Sequence, residues 1–169
     1  MNEINSIYPE NKIEMYALLQ VQTRSLLEGE TDFIANLANV SALLNLALSK
    51  INWVGFYLMH DNELILGPFQ GKPACVHIQV GKGVCGTAAL KDETQIVKDV
   101  HQFPGHIACD SESASEIVVP LHYQGHVVGV LDIDSPITER FDHTDERGLV
   151  LIVKEIETAC AWVQRGQFI

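Results

Sequence analysis

Three of the four cysteines of this chain, Cys75, Cys85 and Cys109, lie near its middle in three different local settings. The surrounding pattern predicts Cys75 on a strand, Cys85 at the start of a helix and Cys109 in a long loop. The dipole and free amides of a helix start stabilise a thiolate, the nucleophilic form of cysteine, so we expect a lowered pKa for Cys85. Cys160 lies on the apolar stripe of the last helix and is expected to be a small buried hydrophobe. The first three cysteines therefore indicate thiol chemistry.

Zinc binding is an alternative use of these thiols. Cys75, Cys85 and Cys109 with His77 or His106 would supply enough ligands for a tetrahedral site. The chain contains no Cys-x-x-Cys pair, however, and the spacings between its cysteines match no common zinc signature. We therefore expect no metal site.

A hairpin late in the chain carries a group of acids. Residues 115–122 and 126–134 alternate as two strands, and residues 123–125 (Tyr-Gln-Gly) suit a three-residue loop. That loop pairs Glu116 with Asp132. The opposite face of the hairpin would then supply core residues: Ile117, Val119, Leu121, Val127, Gly129, Leu131 and Ile133.

Asp134 lies two residues beyond Asp132 and should share its face with Glu116. A solvated outer face is the plain alternative for such a set. Like charges directly opposite each other destabilise a sheet by up to about 1 kcal/mol, which favours a functional reason for the cluster. The register depends on the turn, because a two-residue turn would move Glu116 to the other face. Pro120 also fits only an edge or bulged position.

Composition restricts the classes of function. Lys and Arg number 11 against 22 Asp and Glu, giving a formal net charge of -11, which repels phosphate backbones and anionic lipid surfaces. Residues 1–10 do not resemble a signal peptide, and no stretch approaches the ~20 apolar residues of a membrane span. We expect a cytoplasmic protein, in which a disulfide is more readily catalytic than structural.

The elements that must position these groups follow from hydrophobic periodicity. Residues 11–27 predict a helix with Gly29 just beyond it, and Thr31-Asp32 can cap a second helix with the stripe Ile34, Leu37, Ala38, Ser41, Leu44 and Leu48. A final helix is capped near Asp142 or Thr144. Its predicted stripe is Leu149, Ile152, Val153, Ile156, Cys160 and Val163.

Between these helices the period changes to two. Residues 51–59 predict a strand with Val54, Phe56 and Leu58 on one face and Trp53, Gly55 and Tyr57 on the other. Further strands are predicted at 63–66, 74–80 and 95–100. A glycine-rich turn at 81–86 leads into a short helix, and 101–115 is a long loop of the functional kind. The order gives an α+β fold with a central, mostly antiparallel sheet flanked by N- and C-terminal helices, in a single domain over residues 1–169.

Four motifs resemble those of the free methionine-R-sulfoxide reductases, which are GAF domains. They are residues 53–57 (Trp-Val-Gly-Phe-Tyr), 81–86 (Gly-Lys-Gly-Val-Cys-Gly), 106–110 (His-Ile-Ala-Cys-Asp) and 129–135 (Gly-Val-Leu-Asp-Ile-Asp-Ser). The resemblance extends from about Tyr16 to Trp162. Ordinary GAF sensor domains share the Gly-Val-Leu-Asp strand and the segment from Phe141 to Leu149, but they lack the cysteine set.

By this resemblance Cys109 is the nucleophile, and Cys85 and Cys75 are the cysteines that resolve it. The residues implied to hold and activate the substrate are two aromatics and three acids: Trp53, Tyr57, Glu116, Asp132 and Asp134. The implied reaction is reduction of free methionine-R-sulfoxide through a sulfenic acid and a disulfide, reset by a thioredoxin-like reductant. No metal or organic cofactor is implied, and GAF domains suggest a homodimer through the terminal helices.

Two other functions fit the same sequence. A ligand-sensing GAF module would bind a small metabolite or cyclic nucleotide without chemistry and would not depend on thiols. A redox sensor would pass a disulfide signal to a partner. Within the reductase hypothesis, the order in which Cys85 and Cys75 react and the carboxyl that donates the proton stay open.

Overall fold

The computed structural model describes residues 8–105 and 111–162, which form helices on both faces of one sheet. The helices are α1 (Lys12–Leu27), α2 (Phe33–Ala47), α3 (Gly83–Lys91) and α4 (His143–Ala159), with a short 3-10 helix at Val100–Gln102. The strands are β1 (Trp53–His60), β2 (Glu63–Gly71), β3 (His77–Gln79), β4 (Gln95–Val97), β5 (Ser115–Tyr123) and β6 (His126–Ser135).

The strands form one six-stranded sheet in the order β3-β2-β1-β6-β5-β4, and every neighbouring pair is antiparallel. One face packs against α1, α2 and α4 to form the larger hydrophobic core. The other face packs against α3 in a smaller cluster. The predicted α+β class is confirmed, and no helix among the described residues is long and apolar enough to cross a membrane.

Strand β1 separates these two cores, as its alternation predicts. Val54, Phe56 and Leu58 lie in the larger core, and Trp53 and Tyr57 lie in the smaller one. The sheet therefore directs the two aromatic candidates toward α3.

The helix caps agree with the sequence. Asp32 accepts from the amide of Ala35 at the start of α2, and Asp142 forms a capping box with Asp145 at the start of α4. The predicted stripe of α2 is partly wrong, because Ile34 and Ala38 are exposed and Phe33 begins the buried face. Val163 of the predicted α4 stripe lies outside the described residues.

The hairpin of β5 and β6 has a different register from the predicted one. Its turn has two residues, Gln124 and Gly125, both with positive φ (51° and 79°), so that Tyr123 pairs with His126. A bulge then follows, because Leu121 pairs with Gly129 while His122 pairs with Val127. The predicted three-residue loop is therefore wrong.

The bulge restores the parity that the two-residue turn would have reversed. Beyond the bulge, Glu116 pairs with Asp134 and Val118 pairs with Asp132. Each partner on β6 therefore lies two residues further along the chain than predicted. All three acids still share a face. The core face changes at one position, since Val128 enters the larger core and Val127 packs against the smaller cluster.

Pro120 pairs with Val130 of β6, and its other side lies beyond the short strand β4, whose pairing with β5 stops at Val118. Its missing N–H therefore costs no sheet hydrogen bond there.

The bounds of β2 and β3 differ from the predicted ones. Strand β2 continues to Gly71, while β3 begins only at His77, so Cys75 precedes the strand on which it was predicted to lie.

Candidate active site

The acids occupy the middle of the sheet, on the face that packs against α3. Asp134 lies between Trp53 on β1 and Glu116 on β5, and Asp132 lies next to Gly55. Glu116 and Asp132 are each only 6% exposed, and Asp134 is partly buried. The solvated-face alternative is thus wrong for Glu116 and Asp132.

Cys85 meets these acids from the opposite side. The glycine-rich turn closes with a hydrogen bond from the Gly81 amide to the Gly86 carbonyl, 2.7 Å. A Cβ on Gly86 would lie 2.3 Å from the carbonyl oxygen of Gln79, so only glycine lets α3 approach the sheet this closely. As a result the Cys85 Sγ is buried at 3.9 Å from Glu116 Oε1.

Burial controls the protonation of this cluster. Desolvation, followed by the charges of Asp132 and Asp134, raises the pKa of Glu116 well above its usual value. Desolvation also raises the pKa of Asp132, to about 6, although hydrogen bonds with Cys85 and Glu116 act in the opposite direction. Carboxyls so close together hold protons at a pH where isolated carboxyls are ionised. The cluster can therefore contain both a proton donor and a negative charge.

The expected activation of Cys85 by the helix start is wrong. Its pKa is raised well above the usual value, first by complete desolvation and then by the neighbouring charges of Asp132 and Glu116. The thiol lies at the start of α3, but burial and two acids outweigh the helix dipole. Cys85 is a protonated, buried thiol at neutral pH.

An aromatic wall borders the acids. The Trp53 ring stacks on Phe69 at 5.3 Å between centroids and on Tyr57 at 5.9 Å. Two glycines make room for the indole, because a Cβ on Gly55 would lie 2.7 Å from its ring and one on Gly71 would lie 2.6 Å from it. The sequence does not indicate Phe69, because Gly67-Pro68 interrupts the alternation that would extend the predicted strand to it.

The aromatic wall also holds the segment that carries Cys75. The Trp53 Nε1 donates to the Lys72 carbonyl at 3.1 Å, and the Tyr57 hydroxyl donates to the Cys75 carbonyl at 3.0 Å. Cys75 is half-buried, packs against the smaller cluster and is disulfide-bonded. One of the predicted redox cysteines thus lies directly beside the predicted substrate residues.

Cys109 and His106 lie outside the described residues, but the chain that follows them returns to the same site. Ser113 is buried and accepts from Asn52 Nδ2 at 3.1 Å, and Ala114 N donates to the Ser135 carbonyl at 2.7 Å. Glu112 forms an ion pair with Lys72. These contacts fix one end of the predicted loop between the acids and the Cys75 segment.

The zinc ligand set considered from the sequence does not assemble among the described residues. His77 is exposed, and a hydrogen bond of 3.2 Å joins its Nδ1 to Glu63 Oε2. Cys75 is disulfide-bonded. A different trio comes together instead, since Cys85, Glu116 and Asp132 each offer a ligand atom within 4.8 Å of the other two.

Comparison with known proteins identifies the family. The GAF domain model matches residues 17–160. The free methionine-R-sulfoxide reductase of Escherichia coli K12 is 52% identical over 158 residues, which cover 94% of this chain and 96% of that protein.

Two solved structures agree with this assignment. The fRMsr of Staphylococcus aureus in complex with substrate is 62% identical with a TM-score of 0.82, covering 85% of this chain and 94% of that one. The free methionine-R-sulfoxide reductase from Neisseria meningitidis in complex with its substrate is 46% identical with a TM-score of 0.87, covering 89% and 91%. The protein described here belongs to the free methionine-R-sulfoxide reductases of the GAF domain family.

Proposed function

We propose that this protein reduces free methionine-R-sulfoxide to methionine. The observation that carries the proposal is the pair of buried acids, Glu116 and Asp132, enclosed between a cysteine-bearing helix start and a tryptophan on the neighbouring strand. The relatives named for this reaction cover nearly the whole chain.

The site matches the two ends of the substrate. The Trp53 indole suits the S-methyl group, because sulfur and its attached methyl pack favourably on aromatic rings. Asp132 and Asp134 suit the ammonium group. A peptide-bound methionine sulfoxide has a neutral amide at that position, so the acid cluster favours the free amino acid.

Glu116 is the proposed proton donor. Its pKa is raised well above its usual value by burial and then by the charges of Asp132 and Asp134, which favours the protonated form. The sulfoxide oxygen needs that proton as it leaves sulfur. Asp132, whose pKa of about 6 lies below neutral pH, keeps the negative charge that the ammonium requires.

The proposed nucleophile is Cys109, by resemblance to the family. Its thiolate takes the sulfoxide oxygen, so that the sulfoxide is reduced to the sulfide, methionine, and the thiol is oxidised to a sulfenic acid. A second thiol then condenses with the sulfenic acid, forming the disulfide and releasing water. A thioredoxin-like dithiol reduces that disulfide and completes the cycle.

Cys75 is the proposed resolving thiol, ahead of Cys85. Cys75 is already in a disulfide, whereas Cys85 is a free, buried thiol. Condensation requires a thiol that can approach the sulfenic acid and lose its proton. The raised pKa of Cys85 opposes that step.

Two further expectations accompany this function. Reduction by thioredoxin fits the cytoplasm, which is the proposed location. Apolar side chains exposed on the terminal helices, Ile13 and Val21 on α1 and Leu151 on α4, support a homodimer through these helices.

The test measures methionine released from each sulfoxide epimer, free and peptide-bound, with dithiothreitol as the reductant. We expect release from the free R epimer alone. Cys109→Ser should abolish it, and Cys75→Ser should allow one methionine per site and then fail with thioredoxin. Cys160→Ser is the matched control and should turn over normally. Binding of the sulfoxide without any release would identify a sensor module instead.

A further inference from the structure

The trio of Cys85, Glu116 and Asp132 has the dimensions of a metal site. Its members come from three elements, α3, β5 and β6, and their ligand atoms lie within 4.8 Å of one another. Tetrahedral zinc, with Zn–S of about 2.3 Å and Zn–O of about 2.1 Å, separates sulfur and oxygen ligands by about 3.6 Å. The Cys85 Sγ to Glu116 Oε1 distance is 3.9 Å, so a shift of a few tenths of an ångström brings the pair to ligand spacing.

A second observation concerns the oxygen that completes the trio. Asp132 is 6% exposed, and its Oδ1 is buried without a hydrogen-bond donor anywhere in residues 8–105 and 111–162. A buried carboxylate oxygen in that state carries an uncompensated desolvation penalty unless a ligand satisfies it. A cation within the trio would do so.

We propose that Cys85, Glu116 and Asp132 form a binding site for a thiophilic divalent metal ion of the zinc class, which blocks the site and takes no part in the reaction. One sulfur and two oxygen ligands favour Zn²⁺ or Cd²⁺ over Mg²⁺ and Ca²⁺, which take oxygen ligands alone. Three protein ligands leave the fourth position of a tetrahedral ion for water.

The consequence for turnover rests on the proposed function. An ion on Glu116 and Asp132 occupies the acids assigned to the sulfoxide oxygen and the ammonium. Metal and substrate then exclude each other. Zinc is therefore expected to act as a competitive inhibitor of sulfoxide reduction.

The site can be tested without turnover. The disulfide form of the full-length protein, prepared without reductant, is titrated with Cd²⁺ while thiolate-to-cadmium charge-transfer absorption and heat are recorded. Because Cys75 is disulfide-bonded and the described free cysteines are Cys85 and Cys160, two variants separate the possibilities. We expect one equivalent to bind the parent and Cys160→Ser with the absorption band, and Cys85→Ser to lose the band.

Asp132→Asn provides a variant with all cysteines intact, and its affinity for Cd²⁺ should fall by more than about tenfold, as expected on loss of a charged ligand. Each variant is first shown to be folded by its cooperative thermal transition. Wild-type affinity in folded Cys85→Ser, or in folded Asp132→Asn, overturns the site.

Inhibition is measured separately, as methionine release in the presence of Zn²⁺ with a phosphine reductant. A KM that rises with Zn²⁺ at constant kcat supports overlap with the substrate. Absence of sulfoxide reduction without metal defeats the proposed function, whereas the Cd²⁺ titration still decides the metal site.

Discussion

Two groups of acids in this protein are built in opposite ways. Asp145 at the start of α4 is fully buried and surrounded by donors: Lys12 Nζ at 2.5 Å, Tyr16 OH at 3.0 Å and Arg140 Nη1 at 3.2 Å. Asp132 is almost as buried, yet its Oδ1 has no donor among the described residues. The first arrangement satisfies a charge within the fold, and the second leaves a buried carboxylate oxygen that no donor among the described residues satisfies.

The protonation of the two groups follows the same division. At Asp142, beside Asp145, desolvation acts to raise the pKa, but hydrogen bonds from Lys12 and from the amides of Thr144 and Asp145 outweigh it and lower the pKa to about 2. At Asp132 desolvation dominates and the pKa rises to about 6. Ionised Asp142 therefore favours the folded state, whereas ionised Asp132 opposes it.

The largest expected effect is on the free energy of unfolding and comes from Asp145, the acid whose hydrogen-bond donors lie within the fold. Asp145→Asn removes the charge that compensates Arg140 and Lys12 and should lower the free energy of unfolding by about 3–5 kcal/mol, the usual loss when a buried ion pair is broken. Urea unfolding at neutral pH measures it. The kcat/KM of the folded fraction should stay near the parent value. A loss below about 1 kcal/mol would show that this buried ion pair does not stabilise the fold.

Substitutions of the acids in the candidate active site should instead reduce activity and leave stability unchanged. Glu116→Gln or Asp134→Asn should leave the melting temperature unchanged or slightly higher, because each relieves repulsion between neighbouring acids. Either change should weaken kcat/KM for free methionine-R-sulfoxide by roughly 1.5–3 kcal/mol, the scale of a charge-assisted hydrogen bond. Melting and kinetics are measured on the same preparations. Unchanged kcat/KM in one variant would remove that acid from the proposed mechanism.

The sequence was sufficient to predict the shared face of these acids, but not their partners. The segment 123–125 permits a two- or a three-residue turn, and nothing in the local sequence indicates the bulge around Val128. The shorter turn and the bulge have opposite effects on the parity of the register. Glu116 therefore lies on the predicted face, but its partner is Asp134 and not Asp132. Periodicity is a local property and predicted the helices and β1 well, whereas register depends on packing across the sheet.

The protonation of Cys85 was predicted with the wrong sign for a related reason. A helix start can be recognised in the sequence, and an exposed one lowers a thiol pKa. The contact of α3 with the acids depends on Gly86 and on the sheet beneath it, which the local pattern does not contain. Burial is a tertiary property, and here it decides the chemistry.

A smaller effect separates the two groups by pH. The folded-state pKa of Asp132, about 6, lies above the unfolded value near 4, so the proton on this group stabilises the fold below about pH 4 and that contribution is lost as pH rises through about 6. Asp132→Asn has no ionisable group at this position, so the variant keeps this stabilising contribution at every pH. The melting temperature of the variant should match the parent near pH 4 and exceed it near pH 7. Parallel curves from pH 4 to pH 7 would contradict the raised pKa.

The smallest expected effect has the opposite sign and belongs to Asp142. Its folded-state pKa, about 2, lies below the unfolded value near 4, so its ionised form stabilises the protein above about pH 4, and that contribution is lost as pH falls toward 2. Asn is as good an N-cap as Asp, so Asp142→Asn removes the charge and keeps the cap. Because the Asp142 side chain is 56% exposed, solvent screening should limit the loss at neutral pH to less than about 1 kcal/mol. The melting temperature of the variant should therefore lie slightly below that of the parent near pH 7, and the two should converge as pH falls toward 2. A variant that instead melted above the parent near pH 7 would mean that ionised Asp142, like ionised Asp132, opposes folding, and the contrast between the two acids would fail.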